Sequence, residues 1–212
     1  MLLNLTELIK KYSLKIRGVI IVGAHHFYEE PEYRRNEINN FILIEPATHA
    51  IEVLMSKLAN DTGVKIFKTA CGAVIEDNVK MFIEKQNNGQ SNSLLRPKNH
   101  LLQYKSIIFE GEEPVSVSPL DFLSFNRGNF NFLSLDVQCF EMEVLKGAKE
   151  TLKTIDYIMS EVNKPGAELY EGCTDIDQMD MFLSDFDFKR VEEPKWIGGT
   201  WSDSLWIKRH LI

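Results

Sequence analysis

The sequence predicts an α/β fold in which a mostly parallel β-sheet carries helices on both faces. Short, continuous apolar runs such as "VIIV" (19–22) and "FILI" (41–44) have the length and composition of buried parallel strands. Residues 48–59 follow the second run, with their apolar residues at helical spacing. Alternation of strands with helices is typical of a parallel sheet, because the helices provide the crossovers between neighbouring strands.

The same pattern extends along the whole chain. Core strands are expected in "RGVIIVGAHH", "FILIEP", "VKIFKTACG", "FNFLSLD" and "IDYIMSEVN". Between the third and fourth of these, further short strands are expected in "NVKMFIEK", "KSIIFEG" and "EPVSVSPLDFL", with the polar, turn-rich and mobile loop "QNNGQSNSLLRPKNH" among them. A helix in "DIDQMDMFLSDF" and closing strands in "FKRVEE" and "TWSDSLWIKR" complete the prediction.

Composition limits the class of protein. The chain has 212 residues and a formal net charge of −7, so we expect one large domain with no long-range attraction to nucleic acid. Its longest apolar runs are of strand length, and no membrane span is expected. Cys71, Cys139 and Cys173 form no CxxC pair, which argues against a disulfide framework and favours a reducing, cytoplasmic location.

The first residues, "MLLNLTELIKKY", have the apolar spacing of an amphipathic helix. They lack a leading basic region and a small-residue cleavage site, so a secretory signal is not expected. We therefore divide the chain into a helix over residues 1–16, packed on the domain, and a single domain over residues 17–212.

Polar or small residues follow the core strands at the edge where parallel strands place their carboxyl ends. In strand order they are Gly23-Ala24-His25, Glu45, Cys71, Asp136 and Glu161. In open α/β sheets, ligands bind outside the carboxyl ends of the strands. The sequence therefore predicts a ligand site at this edge.

The turn after the first strand belongs to no common nucleotide-binding motif. Gly23-Ala24 is part of neither GxGxxG nor GxxxxGK[ST], the fingerprints of dinucleotide and NTP binding. Glu45 follows about twenty residues later, where an acid is placed to accept hydrogen bonds from both hydroxyls of a ribose. A solvent-facing acid at a helix start explains Glu45 as well, since Glu favours helix N-termini.

Three acids near the predicted site are Asp136, Glu141 and Glu161. Such acids bind a cation, act as bases or stabilise helix N-termini, and the last role is the simplest explanation for Glu141. His25, His26 and His100 stand in no HxH or HExxH pattern. They are read as ordinary surface or pocket histidines, and no metal site is expected.

The most specific motif in the chain is "LDVQCFEMEVLKGAKETLKTIDYIMSEVN", residues 135–163. It resembles the pattern of the FkbM family of S-adenosylmethionine-dependent methyltransferases: Ile-Asp-Val-(Glu/Gln)-Gly-x-Glu, then Val-Leu-Lys-Gly-Ala, then a strand ending in Glu-Val-Asn. The segments "GAHHFYEEPEY", "ILIEP", "NNGQSNSLLRP" and "TWSDSLWIK" are similar to the family's Gly-Ala turn, ribose-binding strand end, Ser-rich loop and terminal strand. The resemblance covers residues 17–209 and implies a Rossmann-like class I methyltransferase fold with an antiparallel C-terminal strand.

The resemblance also implies S-adenosylmethionine as the cofactor and assigns residues to it. The cofactor-binding residues carried over are Gly23, Ala24, His25, Glu45, Pro46, Ala70, Cys71, Asp136 and Val137. The catalytic residues carried over are Asp136, Glu141 and Glu161, with His100 and the 87–99 loop closing over the acceptor. The chain departs from the family pattern at Ile21 (usually Asp) and at three usual glycines, Phe27, Cys139 and Ser202.

The function predicted from these residues is methyl transfer to a hydroxyl of a small-molecule or glycan acceptor. The alternative is a catalytically silent methyltransferase-fold module that binds a partner or a glycan. A nicotinamide-dependent reductase is disfavoured because the glycine fingerprint is absent. Neither the identity of the acceptor nor an oligomeric state is predicted.

Overall fold

Residues 2–212, the part of the chain that the computed structural model describes, form a seven-stranded sheet and a three-stranded sheet. Their strands, in chain order, are β1 (Val19–Val22), β2 (Phe41–Ile44), β3 (Val64–Phe67), β4 (Ala70–Cys71), β5 (Glu76–Glu84), β6 (Phe109–Ser118), β7 (Phe132–Leu135), β8 (Tyr157–Asn163), β9 (Phe188–Arg190) and β10 (Trp201–Lys208). Their α-helices are α1 (Leu5–Tyr12), α2 (Glu30–Arg35), α3 (Thr48–Lys57), α4 (His100–Gln103), α5 (Glu141–Lys146) and α6 (Ile176–Ser184).

The main sheet is parallel over most of its width. Its strand order is β3-β2-β1-β7-β8-β10-β9, and only β10 runs antiparallel to its two neighbours within residues 2–212. This order confirms the predicted Rossmann-like methyltransferase fold with an antiparallel C-terminal strand. The strand order reverses between β1 and β7, which is where open α/β sheets bind their ligands.

Helices cover both faces of the sheet because successive residues of each buried strand point to opposite sides. In β1, Ile20 and Val22 belong to the core that contains α5 and α6. Val19 and Ile21 belong to the opposite core, to which α1, α2 and α3 contribute. Both faces of the strand are thus dry, which explains why β1 is a continuous apolar run.

The three-stranded sheet, in the order β4-β6-β5, corrects two predictions. The third core strand ends at Phe67 rather than near Cys71, and Cys71 lies in β4, which pairs with β6. The two separate strands expected around residues 105–123 are instead the single strand β6. Pro114 interrupts the strand pattern of the sequence, but β6 pairs only with β5 at this position, so the missing N–H is tolerated.

A disulfide joins Cys139 to Cys173, so the expectation that these cysteines do not pair is wrong. The bond connects the turn after β7 with the segment between β8 and α6. The third cysteine, Cys71, is a buried free thiol. Because disulfides are rare in the cytosol, the pair removes the cysteine argument for a cytoplasmic location, which stays a prediction.

The N-terminal helix α1 begins at a capped position. Asn4 accepts a hydrogen bond from the Glu7 N–H through its side-chain oxygen at 3.0 Å. Leu5 and Leu8 are buried in the core of the α1–α3 face. The boundary placed at residue 16 stays a prediction. Within residues 2–212, no helix combines the length and the apolar content that crossing a membrane requires.

Candidate active site

A cleft of about 530 Å³ opens at the carboxyl ends of β1, β2, β7 and β8. The predicted site residues that line it are Gly23, Ala24, His25, Glu45, Pro46, Ala70, Cys71, Asp136, Val137 and Glu161. These residues come from distant parts of the chain, and the strand order brings them to one edge of the sheet. His100 and much of the 86–94 segment line the same cleft.

Gly23 makes the close approach of β1 and β7 possible. Its φ is +82°, a left-handed conformation that side chains rarely adopt. A Cβ at this position would lie 1.9 Å from the carbonyl oxygen of Asp136, which no side chain tolerates. The glycine is therefore required by the backbone of the turn, and it keeps the floor of the cleft free of side chains.

Glu45 lies at the end of β2 and is 5% exposed. Its Oε2 accepts a hydrogen bond from the His25 N–H at 2.8 Å, and its Oε1 accepts one from the Ala47 N–H at 2.8 Å. Burial raises the pKa of Glu45, while these two hydrogen bonds oppose the shift. A carboxylate has about four acceptor positions, so two remain for hydroxyl groups of a ligand.

Ala70 and Cys71 form the wall contributed by the small sheet. Cys71 is 2% exposed, and burial raises its pKa to about 12. Such a thiol stays protonated and unreactive. The assignment of Ala70 and Cys71 to the cofactor stays a prediction.

Asp136 and Glu161 lie in the same cleft, at the ends of the adjacent strands β7 and β8. Gln138 joins them, because its Nε2 donates to Asp136 Oδ1 at 2.9 Å and to Glu161 Oε2 at 3.3 Å. Burial raises the pKa of both acids, and the charge of Asp136 raises that of Glu161 further. A raised pKa makes such a carboxylate a stronger proton acceptor than an exposed acid.

Glu141 does not line the cleft, so the expectation that all three acids lie at the site is wrong for this residue. The side chain is buried beneath the turn that follows β7, and its Oε1 accepts a hydrogen bond from the Val137 N–H at 3.0 Å. Burial raises its pKa to about 7. The geometry is that of an acid that stabilises a turn at a helix start, which was the simpler explanation of this residue.

Sequence reasoning missed three residues of the cleft and its supporting shell: Gln138, Asp203 and Tyr170. Asp203 pairs with Glu161 in the β8–β10 register and is 2% exposed. An acid inside the apolar strand "TWSDSLW" is a signal that was available in the sequence. Tyr170 donates its hydroxyl hydrogen to the Ser91 carbonyl oxygen at 2.8 Å, a long-range contact without a local signal.

The loop expected to be mobile has fixed contacts with the acidic end of the cleft. Ser93 donates through Oγ to the Gln138 carbonyl oxygen at 2.7 Å. Glu84 accepts hydrogen bonds from the N–H groups of Asn87 and Ser91, at 2.7 and 3.3 Å. The loop is therefore attached at both the acid pair and β5.

His100 begins α4 and forms part of an aromatic wall of the cleft. Its ring lies 4.9 Å from the ring of Tyr104 and 5.3 Å from that of Tyr170, between centroids. Burial lowers the pKa of His100, so its imidazole is neutral at physiological pH. Trp201 joins the wall and donates from Nε1 to the Tyr104 hydroxyl at 2.6 Å.

Two of the departures from the family pattern occur where the backbone is left-handed. Phe27 has φ +51° and Cys139 has φ +78°, conformations that favour glycine. In each case another interaction offsets the unfavourable backbone conformation: Phe27 is fully buried, and Cys139 forms the disulfide. Packing and a covalent bond thus replace the conformational freedom that glycine would provide.

Residues 19–190 match the model of the methyltransferase FkbM domain. The chain belongs to the FkbM family of methyltransferases. Members of this family take a methyl group from S-adenosylmethionine, which confirms the family and the cofactor predicted from the sequence. The match contains the strand ends that build the cleft, from Gly23 to Glu161.

Known proteins similar to this FkbM-family chain include a curated relative and solved structures. The 2-O-methyltransferase NoeI of Sinorhizobium fredii is 37% identical over 84 residues, 39% of this chain and 34% of that protein. The FkbM methyltransferase of Methylobacillus flagellatus KT has a TM-score of 0.58 at 14% identity, over 90% of this chain and 43% of that one. The chain thus spans less than half the length of both.

A third similar protein is magnesium protoporphyrin IX methyltransferase (ChlM) from Synechocystis PCC 6803, whose structure contains bound SAM. Its TM-score is 0.50 at 8% identity, over 90% of this chain and 69% of that one. At such identities these structures establish the shared fold alone.

The residues of the cleft fit an S-adenosylmethionine molecule. A volume of about 530 Å³ lies in the range of small-molecule sites. Glu45 has acceptor positions left for ribose hydroxyls, and the Gly23 turn leaves room for a ligand against the backbone. Asp136 and Glu161, at the ends of β7 and β8, would attract the positively charged sulfur of the cofactor.

Proposed function

We propose that the chain is an O-methyltransferase that acts on a hydroxyl of a small-molecule or sugar-type acceptor. The observation that carries the proposal is the convergence of Asp136, Gln138 and Glu161 in the cleft that Glu45 and Gly23 also line. The activity of the NoeI relative, a 2-O-methyltransferase, supports a hydroxyl as the accepting group.

The cofactor half of the cleft is assigned to the ends of β1, β2 and β4. Glu45 would accept hydrogen bonds from the ribose hydroxyls, and the turn at Gly23-Ala24-His25 would contact the cofactor. Pro46, Ala70, Cys71 and Val137 complete this half by contact. When bound, S-adenosylmethionine supplies a methyl group on a positively charged sulfur, which makes that carbon an electrophile.

The acceptor half is assigned to the acid pair and the aromatic wall. Glu161 would take the proton of the acceptor hydroxyl, which leaves the oxygen free to accept the methyl group. The raised pKa of Glu161 makes its carboxylate a stronger proton acceptor than an exposed glutamate. Asp136, held by Gln138, orients the acceptor and keeps negative charge beside the reacting centre.

The aromatic wall is assigned to recognition of the acceptor. Trp201, Tyr104 and His100 present rings to the cleft, and residues of the loop at 86–94 line it as well. Rings and hydrogen-bonding loop residues together suit an acceptor with both apolar faces and hydroxyls, such as a sugar.

Radiolabelled methyl transfer to a panel of hydroxylated acceptors tests the proposal. Glu161→Gln and Asp136→Asn keep the shape of each side chain and remove its charge. We expect each to lower turnover by about 10²-fold or more, because a positioned base contributes about that factor. Glu161→Gln should keep cofactor binding in calorimetry, so that its lost turnover reports on the transfer step. Glu171→Gln, on an exposed glutamate, is the matched control.

Three outcomes would contradict the proposal. Cofactor binding without transfer to any acceptor would favour the silent binding module. Transfer to nitrogen or carbon acceptors in place of hydroxyls would keep the methyltransferase and remove the O-methyl assignment. Unchanged turnover per folded molecule in Glu161→Gln would exclude this residue as the base.

A further inference from the structure

Three histidines meet at the end of β1, and one of them, His25, also lines the cleft. His25 and His26 lie in the turn after β1, and His49 lies in the first turn of α3. One ring nitrogen from each lies within 4.8 Å of the other two. Ligands of a single tetrahedral Zn²⁺ are about 3.3 Å apart at the usual bond lengths, so small side-chain rotations would bring the three nitrogens to one ion.

The hydrogen bonds of these rings leave specific nitrogens without partners. His25 Nε2 lies 2.7 Å from the Asn88 carbonyl oxygen, and His26 Nδ1 lies 2.8 Å from the Tyr28 hydroxyl. The opposite nitrogens, His25 Nδ1 and His26 Nε2, are buried and have no hydrogen-bond partner among residues 2–212. Leaving a buried polar atom without a partner is energetically unfavourable.

This division of the ring nitrogens is the one that metal-binding histidines show. In metal sites, one nitrogen holds the ion and the other donates its hydrogen to a carbonyl or another polar group. The Asn88 carbonyl oxygen also lies 3.1 Å from His49 Nε2. One backbone oxygen thus orients the rings of His25 and His49 together.

The three rings lie close together at the end of β1. The His25 and His26 rings are stacked, with centroids 4.0 Å apart, and His49 lies 5.9 and 5.7 Å from them. The three rings are therefore close enough to bind one shared ion.

We propose that His25, His26 and His49 form a binding site for a divalent transition-metal ion, and that Zn²⁺ is the ion it takes. Imidazole is a preferred ligand of Zn²⁺, and three histidines leave a fourth position for water. The site is separate from the acids proposed for methyl transfer. It therefore stands whether or not the proposed function is correct.

The ion would connect three segments that border the cleft. His25 and His26 belong to the β1–α2 turn and His49 to α3, while Asn88 belongs to the loop at residues 86–94. Gly89 of this loop approaches the His49 ring so closely that an added Cβ would lie 2.9 Å from its Cε1. Metal binding is expected to hold the loop against α3.

Zinc titration of the tag-free full chain, stripped of metal with a chelator, tests the proposal without cofactor or substrate. We expect about one Zn²⁺ per chain by elemental analysis. Competition with a chromophoric chelator should show that His26→Gln and His49→Gln each weaken Zn²⁺ binding at least tenfold. His210→Gln is the matched control, because His210 is exposed and far along the chain from the cluster.

Thermal unfolding without metal establishes whether each variant is folded. If either His26→Gln or His49→Gln is unstable, the Zn²⁺ affinity of the other variant tests the proposal. Zinc should raise the melting temperature of the wild-type chain and of His210→Gln, and should have little effect on the other two. Substoichiometric binding by the wild-type chain, or equal affinity in His26→Gln and His49→Gln, would overturn the proposal.

Discussion

The side-chain amide of Gln138 donates a hydrogen bond to Glu161 Oε2 across 3.3 Å, and so connects the turn after β7 to the neighbouring strand β8. The same nitrogen donates to Asp136 at 2.9 Å. Two buried carboxyl groups therefore share one donor. The distance between the two carboxyl groups and their pKa values therefore both depend on Gln138.

Gln138→Leu removes this shared donor and should shift the pH dependence of methyl transfer. Burial raises the pKa of Asp136, and the hydrogen bond from Gln138 opposes that rise. Without the donor the acids ionise at higher pH, so the rising limb of the pH–rate profile should move to higher pH, and turnover at pH 7 should fall about tenfold. Turnover measured across pH would contradict this if the profile fell evenly without moving.

Glu45→Ala should weaken binding of S-adenosylmethionine by more than tenfold. Hydrogen bonds to a charged acceptor contribute about 1.5–3 kcal/mol, and this residue is proposed to hold two ribose hydroxyls. Calorimetry measures the affinity, and Glu52→Ala on the exposed side of α3 is the matched control. Equal affinity in Glu45→Ala and Glu52→Ala would exclude a ribose contact at residue 45.

Glu141→Gln should flatten the dependence of stability on pH. The folded-state pKa of Glu141 is raised from 4.5 to about 7 by burial, so the folded protein binds the proton more tightly than the unfolded chain. The free energy of unfolding therefore falls as pH rises from about 4.5 to 7, by about 3 kcal/mol from this residue. Urea unfolding of both proteins at several pH values measures the difference.

The prediction for Glu141 is contradicted if the variant and the wild-type protein depend on pH in the same way. In Glu141→Gln, the oxygen of the new side-chain amide would remain able to accept the Val137 N–H, so the variant should fold at both ends of the pH range. Parallel stability curves for the two proteins between pH 4.5 and 7 would show that Glu141 does not titrate with a raised pKa.

Reduction of the Cys139–Cys173 bond should destabilise the fold by about 3–4 kcal/mol, the chain-entropy value for a loop closed across 34 residues. Urea unfolding with and without reductant measures this loss. Cys173→Ser should show the lower stability in both conditions, which separates the bond from other effects of the reductant. Thiol titration of the unfolded wild-type chain should find one thiol before reduction and three after, since the chain has three cysteines.

The elements that the sequence predicted well are those with a local cause. β1 and β2 are continuous apolar runs because both of their faces are buried, and α6 has apolar residues at helical spacing. The end of the third strand was misplaced because "VKIFKTACG" is one β-like run that the structure divides between two sheets. Nothing in the local pattern distinguishes the two halves.

The parts of the site that sequence reasoning missed depend on long-range contacts. Gln138 reaches the acid pair from a left-handed position, φ +52°, which no spacing rule predicts. His49 joins His25 and His26 only because α3 returns to the end of β1. Cys139 and Cys173 likewise meet because the turn after β7 lies beside the segment after β8.

The late position of β10 in the chain has a consequence for biosynthesis. β10 pairs with β8 and brings Asp203 opposite Glu161, yet it follows β8 by tens of residues. At ribosomal speeds of about 5–20 residues per second, a nascent chain waits about 2–9 s between completing β8 and completing β10. During this interval β8 is an unprotected apolar edge, which makes the emerging chain prone to aggregation and a natural client of ribosome-associated chaperones.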